Sequence, residues 1–310
     1  MDAVDADGIT EGRLVDPETG DYTVLDRRTD SLLVSAESGH ALMRVGPRGS
    51  RELLLVKPDG TWLPLLRPEP GAMTDAGTIL RDESATADGR VTVIACSDHS
   101  SARRRVLRIV VDGRDVTAEE WIGNPDSDVD EFVISEDLTT AAVLWNTSGV
   151  SLLDLLTLGE DQKVLVRRSV ELPGMVASGL SITDDGELLS LTVEGPNLPQ
   201  TVEILRTSTG KIEPINVDRT RRIAERAQEN YIPELVHFTA RDGLELSGWL
   251  YHGEGEDAAG PQPVYIHLHG GPELQSRPVN HDILTTLVDS GVTVFTPNIR
   301  GSSGAGRSVL

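Results

Sequence analysis

Val264-Tyr265-Ile266-His267-Leu268-His269-Gly270-Gly271-Pro272 is an almost unbroken apolar run that stops at a glycine pair. Such a run is expected of a strand in a parallel sheet, where helices cover both faces. Downstream, Val279, Ile283, Leu284, Leu287 and Val288 fall on one helical stripe, and Gly291 stands where a left-handed C-terminal cap belongs. Val292-Thr293-Val294-Phe295 then begins a second buried strand. Strand, helix and strand in about 35 residues make a βαβ unit, so a doubly wound α/β domain is expected to start here. Just upstream, Leu235–Thr239 and Leu244–Tyr251 read as two short strands joined by the hairpin signal Arg241-Asp242-Gly243, and 254–263 as a polar, Gly-rich loop.

Further towards the N-terminus the pattern is a repeat. Ser38-Gly39, Asp88-Gly89, Asp137-Leu138 and Asp185-Gly186 are polar turns at intervals of 50, 49 and 48 residues. Each precedes a strand-like apolar run: Ala41–Val45, Val91–Cys96, Ala141–Trp145 and Leu188–Val193. A second series, Gly60, Gly113, Gly159 and Gly210, keeps the same phase at 53, 46 and 51 residues. Strand-rich units of one period with turns in fixed phase predict an incomplete β-propeller, with about four visible blades of four strands. A two-sheet β-sandwich also spaces its turns regularly, but two independent turn series at one period favour the propeller. The paired glycines of kelch blades are absent, and 4% aromatic residues argue against WD-type blades. The segment Asp218–Gln228, rich in charge and helix formers, reads as a connector whose four arginines form a solvated face. The expected organisation is therefore propeller blades over 1–217, a connector over 218–233 and an α/β domain over 234–310.

Composition bounds the partners. A chain of 310 residues suggests about two domains. With 28 basic and 50 acidic side chains the net charge is −22, the wrong sign for a phosphate backbone or an anionic membrane surface, so no nucleic-acid or membrane partner is expected. No apolar stretch approaches the ~18 residues of a membrane span, and Met1–Thr10 carries no export signal. A cytoplasmic, reduced setting is the default expectation, in which the single cysteine, Cys96, is a buried structural thiol.

The chemistry is expected at His269-Gly270-Gly271-Pro272. A glycine pair at the carboxyl end of a strand turns the backbone tightly and leaves N–H groups free to face a cleft, where fixed donors stabilise an oxyanion in acyl transfer. A loop of this kind is the described oxyanion contribution of α/β-hydrolases. His267 and His269 alternate on one strand face and His281 follows, an H-x-H arrangement used by zinc hydrolases. Gly270, Gly271 and Pro272 fill the positions where a further ligand belongs, so packed histidines are the better reading, and neither a metal nor any other cofactor is expected. Gly301-Ser302-Ser303-Gly304-Ala305 resembles a relaxed nucleophile elbow. No helix and no later triad partners follow it, so Ser303 is set aside as the nucleophile.

The segments Tyr231-Ile232-Pro233-Glu234, Gly248-Trp249-Leu250, His269-Gly270-Gly271-Pro272-Glu273, Gln275-Ser276-Arg277-Pro278 and Pro297-Asn298-Ile299-Arg300-Gly301-Ser302-Ser303-Gly304 together resemble the start of the catalytic domain of prolyl oligopeptidase family serine peptidases, nearest the acylaminoacyl-peptidase-like branch. The resemblance implies a β-propeller ahead of an α/β-hydrolase domain, and hydrolysis of short peptides or acylated peptide N-termini in the intact form. It also implies an oxyanion donor at Gly271, a loop shaped by Gly270 and oriented by His269, and an Arg300 that braces the floor of the site. The family's nucleophilic Ser, Asp and His would lie downstream of residue 310, so the chain is expected to be truncated, inactive alone and prone to self-association through an exposed sheet edge. The competing expectation is a non-catalytic propeller binding module or the remnant of a peptidase gene.

Overall fold

The turn series becomes a series of sheets. The computed structural model describes residues 2–4, 7–28, 32–47, 50–81, 89–216, 232–253, 263–271 and 274–307, which form two compact units, Met1–Pro125 and Asp126–Leu310. Of the expected connector only Ile232 and Pro233 fall within the described residues.

The first unit holds three antiparallel meanders. β1 (Asp2–Val4), β2 (Thr10–Val15) and β3 (Tyr22–Arg28) make a three-stranded sheet. β4 (Leu32–Glu37), β5 (His40–Val45), β6 (Glu52–Val56) and β7 (Trp62–Pro64) make a four-stranded one, as do β8 (Thr74–Ile79), β9 (Arg90–Ser97), β10 (Arg105–Asp112) and β11 (Asp115–Ile122). The second unit adds two more four-stranded meanders. These are β12 (Asp128–Ile134), β13 (Thr140–Thr147), β14 (Val150–Leu158) and β15 (Val164–Val170), then β16 (Val176–Ile182), β17 (Leu188–Gly195), β18 (Leu198–Arg206) and β19 (Lys211–Pro214).

Each apolar run of the repeat lies in the second strand of its sheet, and the turns Ser38-Gly39, Asp137-Leu138 and Asp185-Gly186 join strands one and two. The reason is local. Ser38 and Gly39 both take positive φ, 50° and 77°, so that Glu37 pairs with His40 across a two-residue turn. At Asp185-Gly186 the Asp185 carboxylate accepts the Thr183 hydroxyl at 2.6 Å and the Glu187 N–H at 3.0 Å, which holds its carboxyl below the usual carboxylate range. Asp137 repeats the arrangement with Ser135 and Thr139, and there Leu138 takes the left-handed φ of 57° that glycine takes at 186. In the second series Gly60, Gly113 and Gly210 have positive φ, whereas Gly159 is extended and the reversal passes to a short 3₁₀ turn, Glu160–Gln162.

Within each unit the cores lie between consecutive sheets. In the first, Leu42, Leu53, Leu55, Val93, Ala95 and Ile109 form one cluster, while Ala41, Met43, Val45 and Leu54 form another. β5 thus sends alternate residues into two different cores, which is why its sequence is a continuous apolar run instead of an alternating one. In the second unit Leu144, Leu153, Leu189, Leu191 and Leu205 fill the space between the β12–β15 and β16–β19 sheets. Asp154 of β14 is also buried, and it accepts Trp145 Nε1 at 2.7 Å, Arg167 Nε at 2.8 Å and Ser169 Oγ at 2.6 Å.

The second unit ends in a mixed sheet of order β20-β21-β23-β22, made by β20 (Glu234–Thr239), β21 (Glu245–Tyr251), β22 (Val264–Ile266) and β23 (Thr293–Pro297). Only β22 and β23 are parallel. The helix α1 (Asp282–Asp289) connects them and closes with Gly291 at φ 80°. Gly291 N–H donates to Val288 O and Val292 N–H to Leu287 O, the two bonds of a Schellman cap. Leu284 and Val288 pack with Trp249, Tyr251 and Val294, and burying each contributes about 1.5–3 kcal/mol.

Two expectations change here. The strand expected over 264–269 is β22, three residues long, and it is exposed: Val264 is 62% and Ile266 60% accessible. It pairs with β23 on one side only, and α1 directs its apolar stripe at β21 and β23, so neither face of β22 is covered among the described residues. The stripe is also narrower than expected, since Val279 precedes the helix and Ile283 points outward.

Candidate functional site

The Gly270-Gly271 loop leaves the carboxyl end of β22, just beyond the last ladder contact, His267 N–H to Phe295 O at 2.9 Å. Gly271 has φ 50°, and a side chain at Gly270 would meet nothing within 4 Å, so the loop is open to solvent. Among the described residues the N–H groups of Gly270 and Gly271 donate no hydrogen bond. Both are free donors at the carboxyl end of a parallel strand.

His269 sits beside them and faces inward. Its Nε2 lies 2.7 Å from Ser302 Oγ and its Nδ1 3.2 Å from Gly270 O. A carbonyl only accepts, so in the neutral ring Nδ1 carries the proton and Nε2 accepts the Ser302 hydroxyl. Ser302 is fully buried, and its N–H is held by Ile299 O at 3.0 Å. Its neighbour Ser303 donates its N–H to Leu274 O at 3.2 Å, within the bends that follow β23. The three histidines do not converge: the rings of His267 and His281 meet edge to face, 5.5 Å between centroids, while His269 is turned into the Ser302 bond. Arg300, 56% exposed, pairs with Asp242 in the β20–β21 turn and ties its own loop to that hairpin.

Leaving the glycine loop, the chain is fastened residue by residue. Ser276 N–H donates to Asn298 Oδ1 at 2.7 Å, and Asn298 Nδ2 returns to Ser276 O at 3.2 Å. Gln275 Oε1 accepts Asn146 Nδ2 at 2.8 Å. Arg277 engages all three of its nitrogens: Nε with Gly149 O at 2.9 Å, Nη1 with Asp130 Oδ2 at 2.7 Å and Nη2 with Ser151 Oγ at 2.9 Å. Beyond it, Asn280 Nδ2 reaches Pro196 O at 3.2 Å, and Gly306 N–H reaches Asp128 Oδ2 at 3.1 Å. The residues around the loop thus come from the β12–β15 and β16–β19 sheets as well as from the mixed sheet. Sequence reasoning assigned no role to Ser302, Gln275 or Arg277, nor to Asp130, Asn146 and Gly149. The available signal was the Gln275-Ser276-Arg277-Pro278 motif, in which the partners of Gln275 and Arg277 lie more than a hundred residues away.

Among the described residues no helix is long and apolar enough to cross a membrane, and no cluster of three or more His, Cys, Asp or Glu side chains is placed to hold a metal ion. No family model matches the chain. Over 79 residues it is 28% identical to the uncharacterized peptidase YuxL of Bacillus subtilis (strain 168), covering 26% of this chain and 12% of that protein. Over 141 residues it is 24% identical to a prolyl endopeptidase of Elizabethkingia meningoseptica, covering 45% of this chain and 19% of the relative.

Among solved structures, a Mycobacterium tuberculosis puromycin-hydrolyzing peptidase matches 99% of this chain with a TM-score of 0.73 at 19% identity, over 52% of its own length. Oligopeptidase B from Leishmania major matches 99% with a TM-score of 0.68 at 12% identity, over 44% of its length. At these identities the structural likeness is one of fold. The chain spans about half the length of the solved structures it matches, and the matched stretches cover less than a fifth of the curated relatives. The sheets of this nearly all-β chain match the propeller domain of prolyl oligopeptidases. Sequence relatives and fold fall on the same peptidases, and the chain is consistent with a member of the prolyl oligopeptidase family.

Proposed function

We propose that this chain supplies the propeller and the oxyanion loop of a serine peptidase that hydrolyses short peptides or acylated peptide N-termini. The observation that carries the reading is the pair of free N–H donors at Gly270 and Gly271, on a loop at the carboxyl end of a strand parallel to its neighbour. Fixed donors there suit the charge that develops on a carbonyl oxygen during acyl transfer. The strand order β20-β21-β23-β22, with a helix between the parallel pair, supports an α/β-hydrolase sheet over 234–310, preceded by propeller sheets over 1–217 and a connector over 218–233. The uncovered edge of β22 is then where a further parallel strand of such a sheet would pair. His269, locked by Ser302, orients the loop and does not act as the base.

The nucleophile of this reading is neither Ser302 nor Ser303. Ser302 is buried and committed to His269, and Ser303 lies among bends, not on a strand-to-helix elbow. In this reading the serine, acid and base lie outside these 310 residues, and the chain by itself is inactive. The setting is proposed to be cytoplasmic. Two measurements test this. A fluorophosphonate probe is expected to leave the 310-residue chain unlabelled, and labelling at Ser303 refutes the assignment. Sequencing past codon 310 is expected to reveal Gly-x-Ser-x-Gly followed by Asp and His. A stop codon at that point instead favours the remnant of a peptidase gene or a non-catalytic binding module.

A further inference from the structure

We propose that Arg277 is a positioning residue for the Gly270 and Gly271 donors, acting by fixing their loop against the turn between β13 and β14. The inference rests on reading those two N–H groups as oxyanion donors. Neither N–H makes a hydrogen bond among the described residues, and the bonds that hold the loop, His269 Nδ1 to Gly270 O at 3.2 Å and Leu274 N–H to Gly271 O at 2.7 Å, are local to it, so its placement requires a reference outside the loop. A displacement of about 1 Å at a reacting centre costs on the order of 100-fold in rate.

The reference lies four to seven residues downstream. Arg277 is only 17% exposed, and its planar fork meets three acceptors at once: a carbonyl, a carboxylate and a hydroxyl. Three donors in one plane fix both the position and the tilt of the guanidinium, which a single ammonium cannot do. The partner surface is equally constrained. Asn146 closes the β13–β14 turn by accepting Gly149 N–H at 2.8 Å on Oδ1, and with its Nδ2 it holds Gln275. Gly149 has φ 96°, and a Cβ there would stand 3.2 Å from Trp249 Nε1 and 3.5 Å from Gln275 Nε2. The turn therefore seats against both the mixed sheet and the loop segment with no room between. Ser276, bonded to Asn298, ties the same segment to the end of β23. In the proposal, Arg277 thereby couples the β12–β15 sheet to the segment 275–277 that follows the two glycines.

The test is the backbone order of Gly270 and Gly271 in the 310-residue chain, labelled with ¹⁵N-glycine, for wild type, Arg277→Lys, Arg277→Met and Gln275→Ala. In the wild type both amides are expected in the rigid range near about 0.85, and in Arg277→Met below about 0.6. Arg277→Lys, which retains the charge on a single nitrogen, is expected to recover part of the loss. Gly186, in the β16–β17 turn of the same unit, is the internal control and stays unchanged. If Arg277→Met lowers the melting temperature yet leaves Gly270 and Gly271 unmoved, or if neither quantity changes, Arg277 only braces the packing and the proposal fails. Should Arg277→Met not fold, Arg277→Lys and Gln275→Ala carry the same comparison. The readout needs no catalysis, so a fluorophosphonate result that defeats the peptidase reading leaves this measurement decisive on its own.

Discussion

Replacing Asp154 tests what holds the β12–β15 sheet, and hence the turn that Arg277 grips. The carboxylate is buried and accepts Trp145 Nε1, Arg167 Nε and Nη2, and Ser169 Oγ, all within 2.9 Å. Asp154→Ala strands the Trp145 N–H in a residue only 1% exposed, while Arg167, about half exposed, can turn to water. The orphaned Trp145 donor, worth about 1–3 kcal/mol, and the lost charge-assisted bonds from Arg167, worth about 1.5–3 kcal/mol, together cost about 3–5 kcal/mol. Asp154→Asn is a different perturbation. Its carbonyl can face Trp145 and Arg167 and its amide can face the Ser169 hydroxyl, which is free to turn and accept, so every bond survives without its charge. That loss is about 1–2 kcal/mol. For a unit of this size each kcal/mol moves the melting temperature by about 2–4 °C, which gives a fall of about 6–20 °C for alanine and about 2–8 °C for asparagine. Thermal and denaturant melts followed by near-ultraviolet circular dichroism, to which Trp145 contributes, measure both. An alanine variant that loses less than about 1 kcal/mol, or an asparagine variant as damaged as the alanine one, refutes the assignment of the network to the carboxylate acceptor.

Two further perturbations follow from the sheets. Burial pushes the Glu203 carboxyl up from its ordinary 4.5, against the lowering by the Thr201 hydroxyl at 3.0 Å. A raised folded pKa stabilises fully below 4.5 and loses that contribution as pH rises through the folded value, so Glu203→Gln is expected to raise the melting temperature at pH 8 and to leave it unchanged at pH 4; equal shifts at both pH values refute this. Gly89 and Gly186 occupy the same turn position with φ 75° and 67°, but a Cβ at 89 meets open space and one at 186 stands 2.7 Å from Thr140 Cβ. Gly89→Ala is expected to cost about 1 kcal/mol from the left-handed backbone alone, and Gly186→Ala about 2 kcal/mol more from overpacking, measured by urea titration.

The parts of the fold legible in the sequence are those written in local turn chemistry. Polar turn pairs at one period located the joint between the first two strands of the four-stranded meanders, because Gly and Ser supply left-handed backbone and Asp supplies the side-chain acceptor that a tight turn needs. The three-stranded sheet of β1–β3 escaped the repeat, since its turn glycine, Gly20, precedes Gly60 by 40 residues and breaks the phase. The apolar run at 264–269 was legible as a strand, but hydrophobicity reports what a strand needs covered and not what covers it. The glycine loop was legible for the same local reason as the turns. Its support was not, because Arg277 meets Gly149, Ser151 and Asp130 across 128, 126 and 147 residues of chain, and a single sequence carries no sign of such pairings.

The two-faced burial of β5 bears on how the first unit comes apart. Leu42 belongs to one core while Ala41, Met43 and Val45 belong to the next, so peeling away either adjoining sheet exposes half of the same strand. Such an array behaves as a chain of nearest-neighbour couplings, in which stability resides in the interfaces as much as in the sheets. Its smallest cooperative piece is a pair of sheets, and a single sheet excised from it has lost half of what kept it folded.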